Sequence, residues 1–221
     1  MSRFLGPIHH WLFDKIKLYE SLEFDIIDNI EKKLSISLSE ITDKLKIKIG
    51  PPIGDKSLEE LIDTNNIHGW LQDKITISET RQAALITFIV NKYGNEGIDI
   101  IKECYRNQAI ASGQDARSKY DLGSAPLIYK ALNNYILDGM PCDNVNSITL
   151  NEYNKLGWRV TNCIHKNYWL NVNGDLDTLY ELRRIWISNF VSSANPSFTY
   201  NFISESMDGN RLLIHQIAKS E

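Results

Sequence analysis

"VNSITLNEYNKLGWRVTNCIH", residues 145–165, is where the pattern of this chain changes. Upstream, apolar residues recur every three or four positions. Here they alternate with polar ones, in "VNSITLNEY" and again in "LGWRVTNCIH", which is the period of half-buried strands. Two more strand-like runs follow, "NPSFTYNFISES" (195–206) and "NRLLIHQIA" (210–218). The "MDGN" between them, residues 207–210, carries the Asp-Gly signature of a tight hairpin. A helix is expected between the two pairs of strands, at 176–194, on the spacing of Leu176, Leu179, Tyr180, Arg183, Trp186, Ile187, Phe190 and Val191. Helices first, then a small antiparallel sheet with a packed helix, is an α+β pattern.

The upstream helices start with residues 8–34. Ile8, Leu12, Ile16, Tyr19, Leu22, Ile26, Ile30 and Leu34 share one face, while Lys15, Lys17, Glu20, Asp28 and Glu31 fall mainly off it. A shorter helix is expected at 37–46. "GPPIGDKS", residues 50–57, then stops any helix, and it sets the division into a helical segment 1–49 and an α+β ligand-binding or catalytic domain 50–221. Ser57 with Glu60 reads as a capping box. Ser78 reads as the cap of a helix 79–93 ending at Gly94, followed by helices at 96–112 and from Ser124 to Leu137. His68, in "NNIHGW", reads as a turn residue. The broad apolar face of helix 8–34 is explained either by a homodimer or by packing within its own domain.

Composition excludes several roles. The 221 residues carry a net charge of −4, with no Lys/Arg block longer than two, so the basic stripe of a nucleic-acid binder is absent. Three cysteines without repeated spacing argue against a disulfide framework and for a reducing compartment. The start, MSRFLGPIHHWLFDKIKLYE, does not read as a signal peptide, and without an 18-residue apolar run no membrane span is expected. The expectation is a cytoplasmic protein with a small-molecule ligand, no nucleic-acid partner and no membrane.

Strand alternation sorts the candidate chemistry. In 157–165 it puts Trp158, Val160 and Ile164 on one face, and Arg159, Thr161, Cys163 and His165 on the other. Cys163 and His165 have the residue types of a nucleophile and its base. Arg159 can favour a thiolate or hold a carboxylate by two hydrogen bonds. The competing reading is a small buried cysteine and a strand-end histidine. A metal on Cys142, Cys163, His165 and His215 lacks paired ligands at short spacing, so no metal is expected. His9 or His10 beside Trp11 is a candidate haem ligand, kept as the alternative to having no cofactor. Trp158, Trp169, Tyr180 and Trp186 would line the pocket of a binding or sensing protein for a small hydrophobic or tetrapyrrole ligand.

"WRVTNC", a helix, and then "NPSFTYNFISESMDGNRLLIHQI" resemble the L-2-amino-thiazoline-4-carboxylic acid hydrolase family over roughly the last 65 residues. Val160, Thr161 and Cys163 fall on a Val-Thr-x-Cys pattern, with Asn162 where arginine is usual. Asn195 and Pro196 match an Asn-Pro step, and Gly209 a hairpin glycine. Leu213 and Ile214 stand where Cys-Asp is usual, with His215 beyond them. The resemblance implies hydrolysis of a cyclic carbon–nitrogen bond in a carboxylated heterocycle. Cys163 would be the nucleophile, His165 or His215 the proton shuttle and Arg159 the carboxylate anchor, with Thr161, Trp158 and Trp186 at the substrate. A non-enzymatic small-molecule or tetrapyrrole sensor is the alternative.

Overall fold

The computed structural model describes residues 5–160, 163–207 and 210–220. Its elements run α1 (Pro7–Leu34), α2 (Ser39–Lys48), α3 (Leu58–Leu61), α4 (Ile67–Lys119), α5 (Ala125–Leu132), a 3-10 turn (Pro141–Asp143), β1 (Asn146–Glu152), β2 (Lys155–Val160), α6 (His165–Leu170), α7 (Leu176–Ala194), β3 (Phe198–Met207) and β4 (Asn210–Lys219). The fold is α+β, with one four-stranded antiparallel sheet in the order β1-β2-β4-β3. The chain divides into two compact units, Met1–Cys104 with His165–Leu176, and Tyr105–Ile164 with Asp177–Glu221. The 50–57 turn lies inside the first of them.

In the first unit, α1 starts at a proline that needs no N–H partner and ends at Ser35 in the left-handed region. Its stripe is buried: Leu12, Ile16, Leu22, Ile26 and Ile30 are each 2% exposed or less. Lys15, Glu20 and Glu23 are buried as well, so α1 is enclosed beyond its apolar face. The Ser57–Glu60 capping box forms, with Ser57 N–H donating to Glu60 Oε2 at 2.9 Å. Those bonds hold the Glu60 carboxyl below its usual range.

Two expectations about α4 need correction. The helix begins at Ile67, so His68 lies in its first turn rather than in a loop. Ser78 is mid-helix and not a cap; its hydroxyl donates to the Lys74 carbonyl one turn back. The break read at Gly94 is present as a kink, with φ 58° and ψ −134°, a conformation open to glycine and few others.

In the second unit, α4 and α7 approach to backbone contact at Gly113, where a Cβ would lie 2.6 Å from the Phe190 carbonyl oxygen. The Tyr135 hydroxyl donates to Asp115 at 2.7 Å, and its ring lies 5.4 Å from that of Phe190. Helix α5 starts at Ser124, whose hydroxyl accepts from Leu127 N–H, and lies against β1, β2 and β4. Strand β2 is described over Lys155–Val160, Cys163 is already outside it, and His165 opens α6 rather than ending the strand. The tip of the β3–β4 hairpin, Asp208 and Gly209, lies outside the described residues; Met207 and Asn210 pair on either side of it.

Candidate functional site

The register of the sheet gathers aromatic side chains around one histidine. Trp158 on β2 and Phe202 on β3 both stand directly opposite His215 on β4. Directly paired residues point to the same face. Leu156, Leu213, Ile217 and Phe198 belong to that face too and are buried. The His215 ring stacks on Trp158, with centroids 4.9 Å apart and planes 9° apart, and Phe202 lies 5.1 Å away. Tyr129 reaches Trp158 from α5, at 4.8 Å. The Tyr200 hydroxyl is 2.7 Å from His215 Nδ1. His215 Nε2 is buried and has no hydrogen-bond partner among the described residues. Tyr129, Tyr200 and Phe202 are only half-buried, so the cluster is not sealed on every side.

The electrostatics keep this histidine neutral. Burial lowers its pKa to about 4, the Arg183 guanidinium pushes in the same direction, and Asp138 opposes both. Burial also raises the Tyr200 phenol well above its usual value, so it keeps its proton. Arg183 pairs with Asp138, which also accepts from Asn146 Nδ2 at 3.3 Å.

The expected site residues are dispersed. Trp158 and His215 are together. Arg159 alternates with Trp158, stands opposite Ile214 and is exposed, so it belongs to the other face of the sheet. Arg159 and His215 therefore lie on opposite faces of the sheet, and the guanidinium whose charge acts on His215 is that of Arg183. Thr161 lies outside the described residues. Cys163 is a free, half-buried thiol past the end of β2. It does not share a strand face with His165, because the strand has already ended. His165 belongs to the first unit, where its Nδ1 meets both carboxylate oxygens of Glu79 at 2.8 and 2.9 Å. Trp186 donates its N–H to Gln108 at 3.0 Å and stacks on Phe190 at 5.5 Å. Trp169 is buried in the first unit.

The first unit has its own buried polar cluster. Arg81 Nε donates to Glu23 at 2.8 and 3.1 Å, and its terminal nitrogens donate to Glu20 at 2.9 Å and to the Gly50 carbonyl at 3.2 Å. Glu20 also accepts from Ile53 N–H at 2.9 Å. Burial raises the Glu23 carboxyl, and Arg81 opposes that shift. These groups answer one another, as the parts of a structural network do.

Among the described residues, no three His, Cys, Asp or Glu side chains are grouped so as to hold a metal ion. Cys142 is exposed, and burial pushes the Cys104 thiol up to about 11. His9 Nδ1 accepts from Gly6 N–H at 2.9 Å and His10 faces Glu59 at 3.3 Å, so both candidate haem ligands have local partners. No described helix is long and apolar enough to cross a membrane.

Sequence reasoning missed Tyr200 as the partner of His215, Tyr129 on the Trp158 ring, and Arg183 and Asp138 as the charges that act on this histidine. The usable signal was parity: His215 shares the alternation of Leu213 and Ile217, which places an imidazole on the apolar side of the sheet. No family model, no curated protein and no solved structure matches this chain, so the resemblance of its last 65 residues rests on those residues alone.

Proposed function

We propose that the C-terminal sheet and α5 form a small-molecule-binding module. Its ligand lies against the aromatic cluster of Trp158, Tyr129, Tyr200 and Phe202 and hydrogen-bonds to His215. One observation carries this reading: a buried imidazole nitrogen without a partner among the described residues, where the other buried histidines, His9 and His165, have the Gly6 N–H and the Glu79 carboxylate at their Nδ1. Buried polar atoms are paired as a rule, and an exception inside a patch of half-open aromatics is what an empty binding site leaves behind. The test is a ligand-observed NMR screen of planar fragments, repeated on His215→Phe. Hits that survive the substitution, or a screen without hits, end this reading. A homodimer through α1 is not part of it, since most of the apolar stripe that suggested one, from Leu12 to Ile30, is buried within the chain.

A second reading keeps the chemistry of the resemblance, hydrolysis of a cyclic carbon–nitrogen bond in a carboxylated heterocycle. What favours it is that His215 is neutral near pH 7 and so able to take a proton from a thiol. Cys163 would give its proton to His215 and attack the ring carbon, His215 would pass that proton to the nitrogen as the carbon–nitrogen bond breaks, and water would then cleave the sulfur–carbon bond and restore the thiol. Arg183, rather than Arg159, would stand near the substrate carboxylate. Turnover of 2-amino-thiazoline-4-carboxylate by the wild type, lost in both Cys163→Ala and His215→Gln, supports it. Unchanged turnover in Cys163→Ala removes it.

A further inference from the structure

We infer that the ligand of this site is an uncharged planar molecule that presents a hydrogen-bond acceptor, a carbonyl oxygen or a ring nitrogen, to His215 Nε2. The inference rests on the binding reading above and narrows its ligand class.

A neutral imidazole carries its proton on one nitrogen and a lone pair on the other. Tyr200 decides which. Its hydroxyl is 2.7 Å from His215 Nδ1, and no other partner of that hydroxyl lies among the described residues. With Tyr200 donating to Nδ1, the phenol proton and the Nδ1 lone pair satisfy each other, and one buried group is left over, the Nε2–H. In the opposite arrangement Nδ1–H donates to the phenol oxygen. The phenol proton and the Nε2 lone pair are then both without a protein partner. Each buried group left unmatched costs free energy, so the first arrangement prevails. Tyr200 is thus a positioning residue: it fixes Nε2 as a donor, and a donor calls for an acceptor.

The surroundings set the rest of the ligand class. The imidazole already lies flat on Trp158, which also meets Tyr129, and the Phe202 ring lies beside it, so the surroundings are flat and aromatic. The cation whose charge acts on His215, Arg183, is paired with Asp138. An anionic ligand would have to break that pair or stay without a counter-charge at low dielectric, and an uncharged acceptor avoids both costs.

The test uses the full chain with 15N-labelled histidine and three matched probes. Long-range 1H–15N spectra read the tautomer directly, without any ligand. The expected result is a protonated Nε2 and a bare Nδ1 in the wild type, with mixed tautomers in Tyr200→Phe, whose unchanged circular dichroism reports an intact fold. Quinoline, naphthalene and 1-naphthoate are then titrated. Quinoline, with its ring nitrogen, should bind about tenfold tighter than naphthalene and shift the Nε2 signal. That advantage should shrink in Tyr200→Phe. A protonated Nδ1 in the wild type overturns the inference, as does equal affinity for quinoline and naphthalene. Tightest binding by 1-naphthoate overturns its uncharged part. The expected tautomer with no binding by any probe leaves Nε2 an ordered water at most, and then the binding reading itself has failed.

Discussion

In the first unit, Arg81 meets Glu20 and Glu23, and Glu79 meets His165, so each of these buried polar groups has its counterpart. In the second unit His215 is just as buried, yet one of its ring nitrogens meets nothing among the described residues. The same physical penalty applies in both places: a polar group taken out of water needs a partner. Where partners are built in, the group holds elements together. Where one is missing, as also at Thr87 Oγ1 and Trp169 Nε1 in the first unit, the group carries that penalty, and Arg81 and His215 should respond to substitution in opposite ways.

The largest effect is expected at Arg81. Arg81→Ala leaves two carboxylates buried without a cation, and urea unfolding should show a loss of about 3–5 kcal/mol. A loss below about 1 kcal/mol would mean that Glu20 and Glu23 find water, and the contrast between the units would collapse. A packing control in the second unit comes next. Gly113→Val places side-chain carbons against the Phe190 carbonyl, so thermal unfolding should show a loss of about 1–3 kcal/mol. An unchanged midpoint would show that α4 and α7 separate freely.

Acid should act on the unpartnered histidine in a defined window. The folded pKa of His215, about 4, lies below the unfolded value of 6.5. Between the two, the unfolded chain binds more protons than the folded one. The contribution of His215 to stability is therefore fully present above about pH 6.5 and is lost as pH falls toward 4. His9 acts in the same direction: burial, then His68 and His10, lower its pKa, and its Nδ1 must stay unprotonated to accept from Gly6. The NMR titration of the His215 ring protons should have its midpoint near 4. A midpoint at or above 6.5 would place the ring in water and break the comparison. The smallest change is expected from the double substitution His215→Phe with Tyr200→Phe, which removes both the orphan and its positioning hydroxyl. Its stability should stay within about 1 kcal/mol of wild type, or rise, because no polar group is left behind. A loss beyond about 3 kcal/mol would make His215 a structural residue like Arg81.

Elements governed by local rules were legible in the sequence. The shift from period 3.6 to period 2 located the sheet, and α7 and the capping box at Ser57 needed only neighbouring residues to be read. What local reasoning missed depends on distant partners. "NCIH" continued the alternation of β2 on paper, but His165 is drawn into a helix where it meets Glu79, 86 positions upstream. Lys15 and Glu20 looked like surface residues because they lie off the apolar stripe; Arg81, 61 positions beyond Glu20, is what makes burying that carboxylate tolerable. At the site, parity placed Trp158 correctly and separated it from Arg159. The Tyr200–His215 contact needed the register of β3 on β4, which only the hairpin fixes.

The helix that replaced the expected strand end also bears on how the chain is made. Glu79 leaves the ribosome long before His165 does, and the first unit takes in residues 165–176 as well as 1–104. Tyr168, which accepts from Gln72, and Gly174, set against Thr87, arrive late too. A nascent chain halted after β2 therefore holds a carboxylate bound for burial with no imidazole to meet it. The amino-terminal unit cannot close in order of synthesis: it waits until most of the second unit's sequence has emerged.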